Sequence, residues 1–266
     1  MTAPVTIFDN PEKLGWQLAG EILDRARIAL RKRRRFLLGC PGGRSLRPTY
    51  QALARRAAEA NDNLSHLFIV MMDEYLLSDG KGGFVNCPIN AHFSCLGFAF
   101  REIVGPLNAE LPADHCVPDN QVWVPDPADP ELYDRYLAES GGIDLFLLAS
   151  GASDGHVAFN SPGTDLATET RIVELAEETR RDNLATFPQF KDLAEVPSHG
   201  VSVGVGTIAR LAREAVLVVA GAHKRAAARR LQGVAVYDPA WPSTVIHECR
   251  NGRLYLDKES AADERR

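Results

Sequence analysis

Four short apolar runs, each emptying into a loop of small or charged residues, constrain this chain more than any other feature. Arg35–Gly39 (RFLLG) leads into Cys40-Pro41-Gly42-Gly43-Arg44-Ser45, and Leu67–Met72 (LFIVMM) into Asp73-Glu74-Tyr75. Ile143–Ala149 opens the stretch that reaches Asp154-Gly155-His156, and Glu214–Gly221 (EAVLVVAG) leads into Ala222-His223-Lys224. Apolar runs of this length, without polar alternation, read as strands buried on both faces. Helical spacing follows the first run through Leu46, Tyr50, Leu53 and Ala57, and the last through Ala228 and Leu231. The expectation is an α/β fold: one Rossmann-like domain over residues 1–266, with an open, mostly parallel sheet and helices on both faces. Ligands of such sheets sit outside the carboxyl ends of the strands, so the chemistry is sought where these runs end.

A chain of 266 residues is long enough for one large α/β domain, and its composition does not demand two. Hydrophobic residues at 45% and charged residues at 24% supply a packed core and exclude a disordered or fibrous chain. A formal net charge of -5 argues against a nucleic-acid partner and favours a small metabolite. Five cysteines at irregular spacing, without a C-x-x-C pair, read as reduced thiols rather than a metal or redox site. The start, MTAPVTIFDNPEKL, lacks a signal-peptide pattern, and no apolar run approaches transmembrane length. A cytoplasmic protein with no membrane partner is expected, and assembly into a homo-oligomer is left open.

Asp9-Asn10-Pro11 reads as the start of a helix continued by Leu14, Leu18, Ile22, Ala26 and Ala29, closing on the basic run Arg31–Arg35. That run complements the negative end of the helix dipole better than it suits nucleic acid. Ser78–Asn90 reads as a glycine-rich loop that works or moves, and Pro106–Pro130 as a connection with at most one short strand at Val122-Trp123-Val124. Pro130–Ser140 suits a helix, and Thr164–Ser198 a polar lid whose early part, Thr168–Asn183, suits strand then helix. His199–Gly206 alternates like a half-buried strand, with a short helix from Thr207. Ser243–Glu248, Asn251-Gly252 and Leu254–Asp257 predict a C-terminal hairpin, and the charged tail after Lys258 predicts a frayed end.

The loops carry the candidate chemistry. Gly42, Gly43, Arg44 and Ser45, between a strand and a helix, would aim backbone N–H groups and one full charge at an anion, or merely permit a tight turn. The adjacent acids Asp73 and Glu74 repel, so one is expected to be paired while a pocket raises the pKa of the other; capping a following helix is the alternative. Asp154 and His156 suit proton transfer, or an ordinary turn. Lys224 stands at the same sheet edge and can serve an anion, or lie solvated on its helix.

Together these motifs resemble the glucosamine-6-phosphate deaminase and 6-phosphogluconolactonase superfamily. Met72-Asp73-Glu74-Tyr75 matches the deaminase M-D-E-Y, and Asp154–Asn160 (DGHVAFN) is close to its D-G-H-I-A-F-N. Gly42-Gly43 is similar to its phosphate loop, and Val203–Thr207 (VGVGT) with Lys224 also fits; the likeness runs from about residue 35 to about residue 247. Lactonases of the superfamily have D-E-R where this chain has D-E-Y, so the deaminase branch is nearer.

The resemblance implies that Asp73 moves a proton between C2 and C1 of an open-chain sugar, that His156 opens the ring, and that Asp154 orients His156. Gly42, Gly43 and Lys224 would hold phosphate, beside Arg44 and Ser45 of the same glycine loop as further candidates, with no metal or organic cofactor. Two departures stand out. Ser161 replaces the glutamate that completes the deaminase relay, and Ala185 occupies the place of an arginine that reaches phosphate from the lid. An amino-sugar-phosphate isomerase/deaminase is therefore expected first, a sugar-acid lactonase second, and a non-catalytic sugar-phosphate-binding protein third.

Overall fold

The computed structural model describes residues 2–262, beginning with β1 (Val5–Phe8), α1 (Pro11–Arg31), β2 (Phe36–Cys40), α2 (Arg47–Ala60) and β3 (Leu67–Met71). β4 (Asp73–Ser78) and β5 (Phe84–Asn86) follow, then α3 (Cys95–Phe98), which widens through Ala99–Val104 into α4 (Gly105–Asn108). The middle holds β6 (Val122–Trp123), α5 (Pro130–Glu139), β7 (Leu145–Ala149), β8 (Arg171–Glu174), α6 (Glu177–Thr186) and β9 (His199–Ser202). The end holds α7 (Val205–Leu211), β10 (Ala215–Val219), α8 (Arg225–Gln232), β11 (Gly252–Asp257) and α9 (Lys258–Ala261).

Seven strands form one sheet in the order β1-β11-β10-β7-β2-β3-β6, with every pairing parallel. The four apolar runs are neighbours, β10-β7-β2-β3, so their loops emerge side by side along one edge. Alternation within each run sorts the two covering layers. Leu38, Ile69, Leu147 and Val216 pack with Leu18 and Ile22 of α1 and Tyr50 and Leu53 of α2. Leu37, Val70, Phe146 and Leu217 pack with Leu137 of α5, Ile208 of α7 and Leu231 of α8. Each such fully buried side chain contributes about 1.5–3 kcal/mol, so the sheet is the rigid base from which the loops hang.

The start of α1 follows the sequence reading: Pro11 opens it, and the Asn10 side chain accepts the N–H of Lys13 at 2.8 Å. The basic run does more than face a dipole. Arg34 pairs with the buried Asp144 at 2.6 Å, and the Arg35 guanidinium lies over the Phe68 ring at 5.1 Å, tying the end of α1 to the sheet.

Asp73 and Glu74 begin β4, which belongs to a second, antiparallel sheet in the order β5-β4-β9-β8, and Glu74 accepts the first N–H groups of the next helix, α3. Three expectations are corrected. The glycine-rich loop from Ser78 is the β4–β5 hairpin, its turn held by Asp79 Oδ1, which accepts the N–H groups of Lys81 at 2.7 Å and Gly83 at 2.9 Å. The C-terminal hairpin is absent: Pro242–His247 is a 3-10 helix, and β11 lies parallel between β1 and β10. Asn251 lies in a turn closed by the Gly252 N–H on the Cys249 carbonyl at 3.2 Å, which leads from the 3-10 helix into β11, and a Cβ on Gly252 would stand 2.0 Å from the carbonyl oxygen of Ile246. Glycine is required there by a close backbone approach. Beyond Asp257, which forms a capping box with Ser260, α9 replaces the expected fraying; residues 263–266 lie outside the described residues.

Candidate active site

The loops leaving β2, β3, β7 and β10 surround a cavity of about 520 Å³, roofed by α6. Gly42, Gly43, Arg44 and Ser45 line it from the first loop, Asp73 from the second, His156 from the third, and His223 and Lys224 from the fourth. Seven of the eight site residues singled out in the sequence thus line one space, and the eighth, Asp154, touches it through His156. No helix of the described residues is long and apolar enough to cross a membrane, and no cluster of three metal-ligating side chains occurs among them.

Asp73 and Glu74 are both buried and are treated differently by their surroundings. Glu74 points away from the cavity and receives the N–H groups of Tyr75, Cys95 and Leu96, the Ser94 hydroxyl and the Cys87 thiol, at 2.8–3.3 Å. It therefore anchors the first turn of α3, whose N-cap is Ser94. Asp73 faces the cavity and receives the Cys95 thiol at 3.3 Å. Burial pushes its carboxyl up to about 7; the thiol and the charge of His156 pull it down, and Glu74 pushes it further up.

His156 and Asp154 form a pair. The His156 ring Nδ1 lies 2.8 Å from Asp154 Oδ1, which also accepts the His156 backbone N–H at 3.2 Å. Burial raises the Asp154 carboxyl, but bonding to His156 outweighs it and leaves the group below its ordinary value. Nδ1 is engaged, so Nε2 is the ring nitrogen left for chemistry. Gly155 permits the turn between them: its φ is +68°, and a Cβ would stand 2.3 Å from the Trp241 ring. Ser243 braces the same loop, donating its N–H to the Gly155 carbonyl and pairing its hydroxyl with Ser150, each at 2.8 Å.

Lys224 crosses between strand exits. Its ammonium donates to the Ser150 carbonyl at 2.6 Å and to Ser45 Oγ at 3.1 Å, and only 8% of the residue is exposed. No carboxylate of the described residues lies within ion-pair distance. Burial draws its pKa down to about 8, with Asp182 opposing and Arg44 reinforcing the shift. A buried cation whose acceptors are neutral is a strong attractor for an anion. Gly43, at φ +86°, turns the first loop beside it, and Arg44 is exposed at the rim.

The lid supplies what the sequence reading missed. Thr179, Asp182, Asn183 and Phe187 line the cavity from α6 and its end, whereas Ala185 is exposed and does not. The lid thus brings an acid, not an arginine, to the cationic edge. Phe187 packs on Tyr75 with ring centroids 6.1 Å apart, and Phe190 on Phe93 at 5.1 Å, fixing the end of α6 over the β4 layer. Cys95 and His223 are further cavity residues to which the sequence reading gave no role in the site. The signal for Cys95 was Ser94, a helix-capping residue placed just before it.

The family model for glucosamine-6-phosphate isomerases/6-phosphogluconolactonase matches residues 9–256. The chain belongs to this family. The glucosamine-6-phosphate deaminase of Pseudarthrobacter chlorophenolicus is 38% identical over 226 residues, 85% of this chain and 79% of its own. That of Shouchella clausii is 29% identical over 260 residues, 95% and 94% of the two chains. Among solved structures, a monomeric glucosamine-6-phosphate deaminase superposes with a TM-score of 0.80 at 22% identity, covering 97% of this chain and 98% of its own. The 6-phosphogluconolactonase of Leishmania guyanensis does so with 0.70 at 18% identity, covering 99% of each. The two solved structures speak for the family fold, while the deaminases are the family members nearer in sequence.

Proposed function

We propose that this chain is a cytoplasmic, single-domain isomerase/deaminase acting on an amino sugar phosphate of the glucosamine 6-phosphate type. The observation that carries the reading is Asp73: a carboxylate facing a cavity, raised to about 7 by burial, and sharing that cavity with an imidazole and an anion-attracting edge. Lys224, Ser45, Arg44 and the N–H groups of Gly42 and Gly43 hold the phosphate. His156, oriented by Asp154, moves a proton from the anomeric hydroxyl to the ring oxygen, which opens the ring to an aldehyde. Asp73 takes the proton from C2, where the adjacent carbonyl makes it acidic, and returns it to C1, while a proton of the amino group passes to the C1 oxygen to complete its hydroxyl. The carbon at C2 is then an imine; water adds, ammonia leaves, and a ketose phosphate remains. No step calls for a metal or an organic cofactor.

A panel of amino sugar phosphates and sugar-acid lactones, assayed in parallel for ammonia, ketose and acid release, tests the reading. Ammonia and ketose in equal amounts support it. Acid release from a lactone without ammonia would replace it by hydrolysis, with His156 activating water, a reading that the Ser161 substitution favours because it leaves Asp154 as the acid paired with His156. Turnover of neither class, with phosphate still bound, would leave a binding protein.

The base must be ionised to act, so kcat/KM is expected to fall about tenfold per pH unit below a midpoint near 7, the value to which burial pushes Asp73. A flat profile from pH 5 to 8 would contradict the assignment. Ser161 is half-buried just past the loop of His156, and its hydroxyl cannot carry the charge of a glutamate. Ser161→Glu is expected to raise deaminase turnover several-fold by placing a negative charge beside His156, where the family pattern has one. An unchanged rate across the pH range would place residue 161 outside the relay.

A further inference from the structure

We infer that Cys95 is a positioning residue for Asp73: its thiol fixes the carboxylate in the cavity while giving it only a weak hydrogen bond. The inference rests on the reading of Asp73 as the carbon base. Among the described residues, the Cys95 Sγ–H is the one hydrogen-bond donor to the Asp73 side chain, at 3.3 Å. The other titratable groups around Asp73 are occupied or set apart. Tyr50 of α2 donates to the Pro41 carbonyl at 2.8 Å, and Tyr133 of α5 to the Met71 carbonyl at 2.7 Å. Glu74 is consumed by five donors, Tyr75 packs its ring among Phe93, Phe159 and Phe187, and His156 engages Asp154.

The first turn of α3 therefore grips both acids through one residue. The Cys95 backbone N–H donates to Glu74 at 2.8 Å while its thiol donates to Asp73. Glu74 is held by strong backbone and hydroxyl donors, and Asp73 by a weak thiol donor. A hydroxyl or a cation in place of the thiol would stabilise the carboxylate strongly, lower its proton affinity and weaken it as a base. An apolar residue would leave the carboxylate without a donor and free to turn. The thiol sits between these limits. It also stays a donor, because burial first, then Asp73 and Glu74, push its own pKa well above the ordinary thiol value.

The test uses Cys95→Val, which removes the donor and fills the space, and Cys95→Ala, which removes the donor without added bulk. Two readouts are taken: the midpoint of the acidic limb of kcat/KM, and the titration of the Asp73 carboxyl followed by carbon-13 NMR in the ligand-free protein. Both midpoints are expected to rise by about half a unit or more in both variants, and to fall below wild type in Cys95→Ser, whose hydroxyl is the stronger donor. Asp73 titrating at the wild-type midpoint in both Val and Ala variants, or at a lower one, would overturn the proposal. A carboxyl titration that moves while the kinetic limb does not would leave Cys95 as a tuner of Asp73 and instead remove Asp73 from the chemistry. The two failures are thereby distinguished.

Discussion

Asp73→Asn is expected to lower turnover by about 10²–10⁴-fold, the usual worth of a positioned general base, while inorganic phosphate still binds. The asparagine keeps the shape and a hydrogen-bond acceptor for the Cys95 thiol but cannot take a proton from carbon. Stability gives an independent check with a definite sign. The folded pKa of Asp73 lies above its ordinary value of 3.8, so the group favours folding below that value, and the contribution is lost as pH rises through about 7. Asparagine carries no such loss. The melting temperature of the variant relative to wild type should therefore improve between pH 5 and pH 8. A variant that melts lower at both pH values yet converts substrate at near the wild-type rate would make Asp73 structural.

Lys224→Ala is expected to weaken phosphate and sugar-phosphate binding by about 10–150-fold, corresponding to about 1.5–3 kcal/mol for a hydrogen bond to a charged group. The buried ammonium reaches across two strand exits, and its pKa is drawn down to about 8. A lysine whose folded pKa is depressed contributes stability that grows as pH rises from about 8 towards its ordinary 10.5, because the unfolded chain holds the proton longer. A bound anion opposes this by favouring the charged form. Millimolar phosphate should thus raise the melting temperature of the wild type at pH 7, less so above pH 8, and leave the variant unmoved. Equal protection of wild type and variant would place the anion elsewhere.

The parts of the fold that could be read from residues alone were those in which one signal dominates. Uninterrupted apolar runs such as LFIVMM and EAVLVVAG read as covered strands, and the cavity lies where such strands end. β1 and the β4–β5 hairpin escaped because Val5 and Ile7 lie exposed on an edge strand, and because DEYLLS begins with two acids that disguise a strand. Asn-Gly at residues 251–252 carries a turn signal that is local, whereas the reason for Gly252 is a contact with Ile246. The site divides in the same way. Asp73, Asp154, His156 and Lys224 stand at strand ends, where position alone marks them. Cys95 and Asp182 reach the cavity from a helix start and a lid whose placement depends on aromatic packing among Tyr75, Phe93, Phe187 and Phe190, and no spacing in the sequence reports that.

The proton at C2 is the most direct witness to what Asp73 does. An amino sugar phosphate turned over by the wild-type protein in deuterium oxide should give a ketose phosphate carrying deuterium at C1, because Asp73 exchanges part of its captured proton with solvent before returning it. Recovered substrate should show exchange at C2 in the same experiment, and Asp73→Asn should show neither. Acid release from a lactone with no deuterium at any carbon, and no exchange into any amino sugar phosphate, would contradict the carbon-base chemistry and assign the cavity to hydrolysis.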